Sequence, residues 1–536
     1  MAPGPLDHPI DRRELLAYAG LGTGALILGG VPVDPALAKR AKRRNQIGFA
    51  RGGSFPQGVA SGRPYPRGIS LWTRLEGTTR DRKIRLEVAR DPGFRRVVKR
   101  RTLVARGKYD HAVETRVAGR FLKPGEEYFY RFETKTKESE VGRFRTALPG
   151  DSRQPVKIVF FSCQDWQAGF FGAHSAIARE NADLVVCLGD YIYERNFYDG
   201  PRKDTLGANK DGEVQTLPEY RAKYRMYKSD ANLRAMHASA PFAAVWDDHE
   251  VEDNYAGSNA GEETQQKRVP FTVRQQNGYR AFYEYMPFTP LTGEPELGHD
   301  LYRRMRLGSN VELFLLDERQ YRDDQPCGDS FFTPCDDAET APRRYLGGRQ
   351  LEWLKRRLRA SGGNWRLVAN QLMIMSLDTA QGAPINKDSW DGYGRERREL
   401  LEYVRAFGIR DVSFLTGDIH TFFAGDVGID GRGPESVATE FVGSSITSLG
   451  VPETLESASG APLSKEQFLL VSNNLPLVNR HLKYQEQASR GYGVLEASRS
   501  ELKVTYKAVD SQQRGSATRT IGRFRVARGD PHVQVL

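Results

Sequence analysis

Between Val156 and His420 the chain repeats one pattern: a short apolar run breaks off into side chains able to do chemistry. KIVFFSC ends at Cys163, DLVVCLGD at Asp190, FAAVWDDHE at Asp247 to Glu250, and DVSFLTGDIH at Asp418 and His420. VELFLLDER and WRLVANQLMI have the same form. The helical stretch GAHSAIARENA separates the first two runs, so the order is β-α-β, the mark of a layered α/β fold. In such sheets ligands gather at the carboxyl ends of strands. Runs that deliver Cys, Asp and His to one edge therefore predict a single site there.

The residue types say what that site does. A thiolate at Cys163 would bind a metal, although a small core residue is the alternative; Cys187, inside its run, reads as core. Asp190, after Gly189, has the setting of a carboxylate bridging two metals. Tyr193, three residues on, can reach the same ion as the chain turns. Phenolate favours a trivalent ion such as Fe(III), which pulls its pKa well below ~10. Asp247, Asp248, His249 and Glu250 are four ionisable groups after an apolar strand, costly unless they bind something. Asp248 fits a metal ligand and His249 a group that reaches a substrate oxygen. Asp418 and His420 form a D-x-H pair, expected on one side of an extended chain with Ile419 pointing away and Gly417 permitting close approach. Asn370 and Gln371 read as core or loop amides.

Residues 45–150 differ: GISLWTRL, KIRLEVAR, FRRVVKRRTLVA, HAVETRVAG and EEYFYRFETK have strand composition, separated by Gly, Pro and Asp. This predicts a separate, small, fibronectin-like β-sandwich domain without catalytic residues. Residues 151–536 are the expected catalytic domain. Polar loops are expected at 195–220, 255–275 and 450–480. Of the four cysteines, Cys327 and Cys335 in CGDSFFTPC are either disulfide-bonded or two free loop thiols.

Residues 1–44 read as an export leader. Arg12-Arg13 precede the weakly apolar AYAGLGTGALILGGV and an Ala36-Leu37-Ala38 cleavage site, the parts of a twin-arginine signal, with a basic stretch from Lys39 to Arg44 after it. The implied partner is the twin-arginine translocase, and the destination periplasm, cell wall or medium. No later apolar run is long enough to span a bilayer. The net charge of +11 is spread along the chain, which favours diffuse attraction of anions over a dedicated nucleic-acid groove.

The ordered set C, GD-x-x-Y, DDHE and GD-x-H resembles the alkaline phosphatase D family, a branch of the calcineurin-like metallophosphatases. FPQGVASGRPYPRGISLWTRL, GDYIYE, WDDHE, LDERQYR, WDGY and GDIH are similar to its blocks over nearly the whole mature chain. Against the usual metallophosphatase signature, Cys163 stands in the first region, Tyr193 replaces an Asp, Asp248 an Asn and Asp418 a His. The family often has two Asn after DDHE; here they are Asp253 and Asn254. The resemblance implies a four-layer sandwich of two mixed sheets flanked by helices. It implies a mixed iron (Fe(III)) and calcium site, with Cys163, Asp190 and Tyr193 on iron, Asp190 bridging, and Asp248, Asn254, Asp418 and His420 completing the two spheres. It further implies hydrolysis of phosphomonoesters and phosphodiesters by hydroxide attack on phosphorus, assisted by His249. The rival readings are a diesterase specialised for phospholipid or teichoic polymers, and a non-catalytic surface binding protein. Replacing both Arg12 and Arg13 with Lys should retain the protein inside the cell; unchanged export on fractionation would contradict the leader assignment.

Overall fold

Seven strands fill the amino-terminal region: β1 (Val59–Tyr65), β2 (Gly68–Arg74), β3 (Arg82–Ala89), β4 (Val97–Ala105), β5 (Ala112–Ala118), β6 (Glu127–Glu133) and β7 (Gly142–Arg145). The computed structural model describes residues 47–536 apart from 198, 262–266, 288–300, 331–333, 380–381, 431–434, 454–473 and 516. The export leader and parts of the expected loops lie outside the described residues. One sheet, in the order β4-β3-β6-β7, packs on β1, β2 and β5. The alternating Ile84, Leu86 and Val88 of β3 and Tyr128, Tyr130 and Phe132 of β6 meet Val59, Ile69 and Leu71 in one core. This is the sandwich that the alternation predicts. Its first strand also joins the following sheet. β1 pairs in parallel with a catalytic strand, Ser61 opposite Pro241, so the sheet crosses the expected boundary near residue 150. Phe49–Leu536 accordingly form one unit.

The catalytic strands follow in chain order. β8 (Val156–Phe161), β9 (Leu184–Cys187) and β10 (Pro241–Ala244) run parallel. The chain then builds a second sheet from β11 (Arg303–Leu307), β12 (Val311–Leu315), β13 (Trp365–Ala369), β14 (Val412–Thr416), β15 (Phe422–Val427), β16 (Ala438–Val442) and β17 (Leu482–Glu486). Their order is β11-β12-β13-β14-β16-β15-β17. Finally β18 (Arg490–Ala497), β19 (Glu501–Val509), β20 (Arg519–Ala527) and β21 (Gln534–Val535) return to the first sheet, giving β21-β20-β19-β18-β8-β9-β10-β1-β2-β5.

Side-chain alternation sets the layers. In β12 and β13, Val311, Leu313, Leu315, Trp365, Leu367 and Ala369 face the first sheet, sharing a core with Ile158, Phe160, Tyr506 and Phe524. Phe314 and Val368 face the other way, onto the helices Gly347–Arg359 and Gly394–Ala406. Those helices contribute Leu351, Leu354 and Leu358, and Leu400, Leu401 and Val404, at helical spacing. The helices Leu217–Tyr227 and Phe271–Tyr285 contribute Tyr220, Tyr224, Tyr279 and Phe282 to the larger core. The result is the four-layer α/β sandwich expected from the family resemblance. No helix among the described residues is long and apolar enough to cross a membrane.

One cation is buried where the amino-terminal strands join this core. Lys228 Nζ lies 4.5 Å over the Trp72 ring, 5.3 Å over the Tyr191 ring and 3.4 Å from His237 Nε2. Burial pushes its ammonium down to about 7. The unfolded chain holds that proton up to about 10.4. Between these values the unfolded state binds more protons, so the Lys228 contribution to stability rises with pH from about 7 to about 10. Lys228→Met should raise the melting temperature at pH 7 and flatten its rise toward pH 10; an unchanged pH slope would show that Lys228 does not set it.

Candidate metal centre

The strand ends deliver their polar residues through an unusual backbone. Cys163 after β8, Asp190 after β9, and Asp418 and His420 after β14 have φ of +56°, +53°, +65° and +53°. Asn254, in the turn beyond β10, has +53°. Side-chain-bearing residues adopt this left-handed conformation at a cost, and such strain clusters at functional sites. It also corrects one expectation. Asp418 and His420 are not alternate residues of a strand: β14 ends at Thr416, and a strained turn carries both. Gly417 makes that turn possible, because a Cβ there would fall 2.5 Å from Ser162 Oγ.

The ligand atoms of Cys163, Asp190 and His420 all lie within 4.8 Å of one another, as do those of Asp190, Asp248 and His249. Asp190 belongs to both groups. Tyr193 Oη donates to Asp190 Oδ2 at 3.1 Å and lies 3.2 Å from His420 Nε2 and 2.8 Å from Ser448 Oγ. His420 Nδ1–H donates to the Leu449 carbonyl at 2.6 Å, which leaves Nε2 as the lone-pair end facing the site. The Asp418 carboxylate lies outside both groups. Asn254 holds Asp248 through its backbone, N–H to Oδ2 at 2.7 Å.

This donor set fits cations. Asp190 Oδ1 and Asp248 Oδ1 are buried and accept no hydrogen bond, as is Asp247 Oδ2. Buried, unsatisfied carboxylate oxygens are expensive without a compensating charge. Burial, with the neighbouring Asp248 and Asp247, pushes Asp190 well above the usual carboxylate range, and burial with Asp247 and Asp388 does the same to Asp418. Burial and the Asp190 carboxylate likewise raise the Cys163 thiol and the Tyr193 phenol. Burial lowers His420 to about 4, keeping it neutral. For His249, burial opposes the charge but Asp248, Glu194 and Asp190 outweigh it, and the imidazolium is favoured.

Several supporting residues carry no ligand pattern of their own. Arg319, fully buried, donates from Nε to Asp247 Oδ1, places Nη2 2.8 Å from Asp388 Oδ2, and lies 3.5 Å from Asp248 Oδ1. Arg322 also pairs with Asp388. Both arginines belong to the LDERQYR block, so the family blocks contained them without revealing their partners. Glu250 is a backbone clamp: Oε2 accepts from Asp190 N (3.2 Å) and Asp247 N (2.7 Å), and Oε1 from Tyr191 N (2.6 Å). Glu318 does the same for Gln371 N (2.9 Å) and Leu372 N (2.8 Å), and Glu440 for Ile374 N (3.0 Å) and Met375 N (2.7 Å). Gln371 Nε2 donates to the Trp246 and Leu316 carbonyls, both at 2.9 Å, and so ties the two sheets together at the site edge.

Comparison with known proteins places this geometry. The model of the PhoD-like phosphatase family matches residues 158–506, and that of the PhoD-like phosphatase N-terminal domain matches residues 41–148. Alkaline phosphatase D of Bacillus subtilis (strain 168) is 36% identical over 464 residues, covering 83% of this chain and 77% of that protein. A solved structure of PhoD superposes with a TM-score of 0.80 at 31% identity, covering 90% of this chain and 92% of that one. Purple acid phosphatase PPD1 from yellow lupin (Lupinus luteus) seeds shares the fold, with a TM-score of 0.53 at 12% identity over 87% of this chain and 74% of that one. The chain thus belongs to the PhoD-like phosphatase family, hydrolases of phosphoric ester bonds.

Proposed function

We propose that the chain is an exported phosphatase that hydrolyses phosphomonoesters and phosphodiesters at a two-cation centre hinged on Asp190. The observation that carries this reading is the membership of Asp190 in both ligand groups. Cys163, Tyr193 and His420 converge on its iron side, and Asp248, with Asn254, supplies the calcium side; Asp418 is assigned to the centre by the family resemblance alone. Phenolate and thiolate beside one carboxylate suit Fe(III), whereas an all-oxygen set suits calcium. When bound, the cations would supply Lewis-acid charge and an activated water.

The chain's own residues account for orientation and proton transfer. His249 Nδ1–H donates to Glu194 Oε2 at 2.7 Å, and Nε2 carries the second N–H of the imidazolium, 4.0 Å from Asp253 Oδ1. The ring is stacked on Tyr193, 4.1 Å between centroids and 26° between planes, with Phe197 edge-on at 4.9 Å. Held this way and kept charged by Asp248 and Glu194, His249 can stabilise a phosphoryl oxygen or protonate the leaving oxygen. Glu194 also accepts from Asp253 N at 3.1 Å, fixing the turn that carries Asn254. A net charge of +11 supports attraction of phosphate esters of either kind.

Rates on p-nitrophenyl phosphate and bis-p-nitrophenyl phosphate test the substrate range. Turnover of both supports the reading; turnover of the diester alone would favour a specialised diesterase. The protein as isolated should show a visible tyrosinate–iron band, which Tyr193→Phe bleaches or shifts while lowering the rate. A colourless, iron-free protein with full activity would contradict the iron assignment. His249→Asn should lower kcat by about 10²-fold or more with metal content unchanged; a wild-type rate would remove His249 from the reaction.

A further inference from the structure

The segment 325–335 reads from sequence as a polar loop, yet its described residues dock on the metal centre at three points. Gln325 Nε2 donates to the Asn254 carbonyl at 2.8 Å and to Asp388 Oδ1 at 2.7 Å. Asp329 Oδ2 accepts from Asn254 Nδ2 at 2.9 Å. Lys387, next to Asp388 in sequence, donates to the Ser330 carbonyl. Cys327 and Cys335 are disulfide-bonded, and Asp329 lies between them in the chain.

The chemistry of the Asp329 contact has a direction. A carboxylate only accepts, so the end of the Asn254 amide that faces it must be the NH2 group. The carbonyl oxygen, the one end of an amide that can bind a cation, is then the end left free. Asp329 Oδ1 is itself buried and accepts no hydrogen bond, so the carboxylate is not consumed by other partners. Asn254 is thereby fixed on three sides: its backbone N–H by Asp248, its carbonyl by Gln325 and its side chain by Asp329.

We infer that this disulfide-closed strap is part of the metal centre, with Asp329 the positioning residue that turns the Asn254 oxygen toward the calcium half. The inference rests on reading Asn254 as a cation ligand beside Asp248. Its consequence is that the calcium half is complete only once the disulfide has formed, which ties cation binding to an oxidising compartment.

The test is a calcium chloride titration of chelator-treated full-length protein, followed by melting temperature and by calorimetry rather than by turnover. Asp329→Ala and the double variant Cys327→Ser/Cys335→Ser should each weaken the calcium midpoint by about tenfold or more, as loss of a residue that orients a ligand does. The melting temperature of cation-free Asp329→Ala should stay at its wild-type value, whereas the double cysteine variant, having lost a cross-link, is read by its calcium midpoint alone. Asp329→Asn, which keeps an accepting oxygen, should fall closer to wild type. Wild-type calcium midpoints in Asp329→Ala would overturn the inference. So would a weaker midpoint matched by an equal loss of cation-free stability, because the strap would then be structural only. A wild-type protein indifferent to calcium would defeat the calcium reading itself, and the inference with it.

Discussion

The carboxylates of Asp190, Asp247, Asp248, Asp388 and Asp418 are drawn together out of water, and their mutual repulsion is the constraint that the surrounding structure answers. Inside a protein such charges interact far more strongly than in water, and each has also lost its hydration. Arg319 is part of the answer. It is fully buried and spans Asp247, Asp248 and Asp388 at once. Removing one member of such a network leaves an uncompensated buried charge, so Arg319 is as necessary to the fold as to the site. The unsatisfied Oδ1 of Asp190 remains after Arg319 is counted, and it is where a cation completes the balance.

Holding like charges close requires a stiff backbone. Glu250, Glu318 and Glu440 supply it in the same way, each spending a buried carboxylate on the amide groups of a loop beyond a strand end. Burial with these amide contacts leaves Glu250 and Glu318 at about 8, raised above the usual range. The left-handed turns at Cys163, Asp190, Asp418 and His420 are tolerated because these clamps and both sheets over-determine them. The same stiffness orients His249 between Tyr193 and Phe197, so the group proposed to meet the ester is set before substrate arrives.

The strand-end pattern was legible in the sequence because it is local. Apolar runs ending in Cys163, Asp190, Asp248 and Asp418 mark both the strands and the edge they share. What was not legible depends on distant pairing. Nothing near β1 signals that it joins β10. The carboxy-terminal meander of β18, β19 and β20 carries no polar strand-end signal, although Val494, Val504 and Phe524 belong to the larger core. Arg319 and Asp388 lie far apart in the chain, and each alone looks like a solvated charge. Asp418 and His420 misled in geometry, since a D-x-H pair satisfies strand alternation and a strained turn equally well. Asp329 pairs with Asn254 across 75 residues of chain, and no local pattern marks that contact.

The sharing of Asp190 between two ligand groups is the centre of the account, and metal content tests it most directly. Elemental analysis of wild type, Asp190→Asn and Asp248→Asn, each purified from an exporting host, should give three different results. Wild type should hold two kinds of cation, Asp248→Asn should keep only the one held by Cys163, Tyr193 and His420, and Asp190→Asn should lose both. An Asp190→Asn protein that is folded and retains the full wild-type complement would contradict the account.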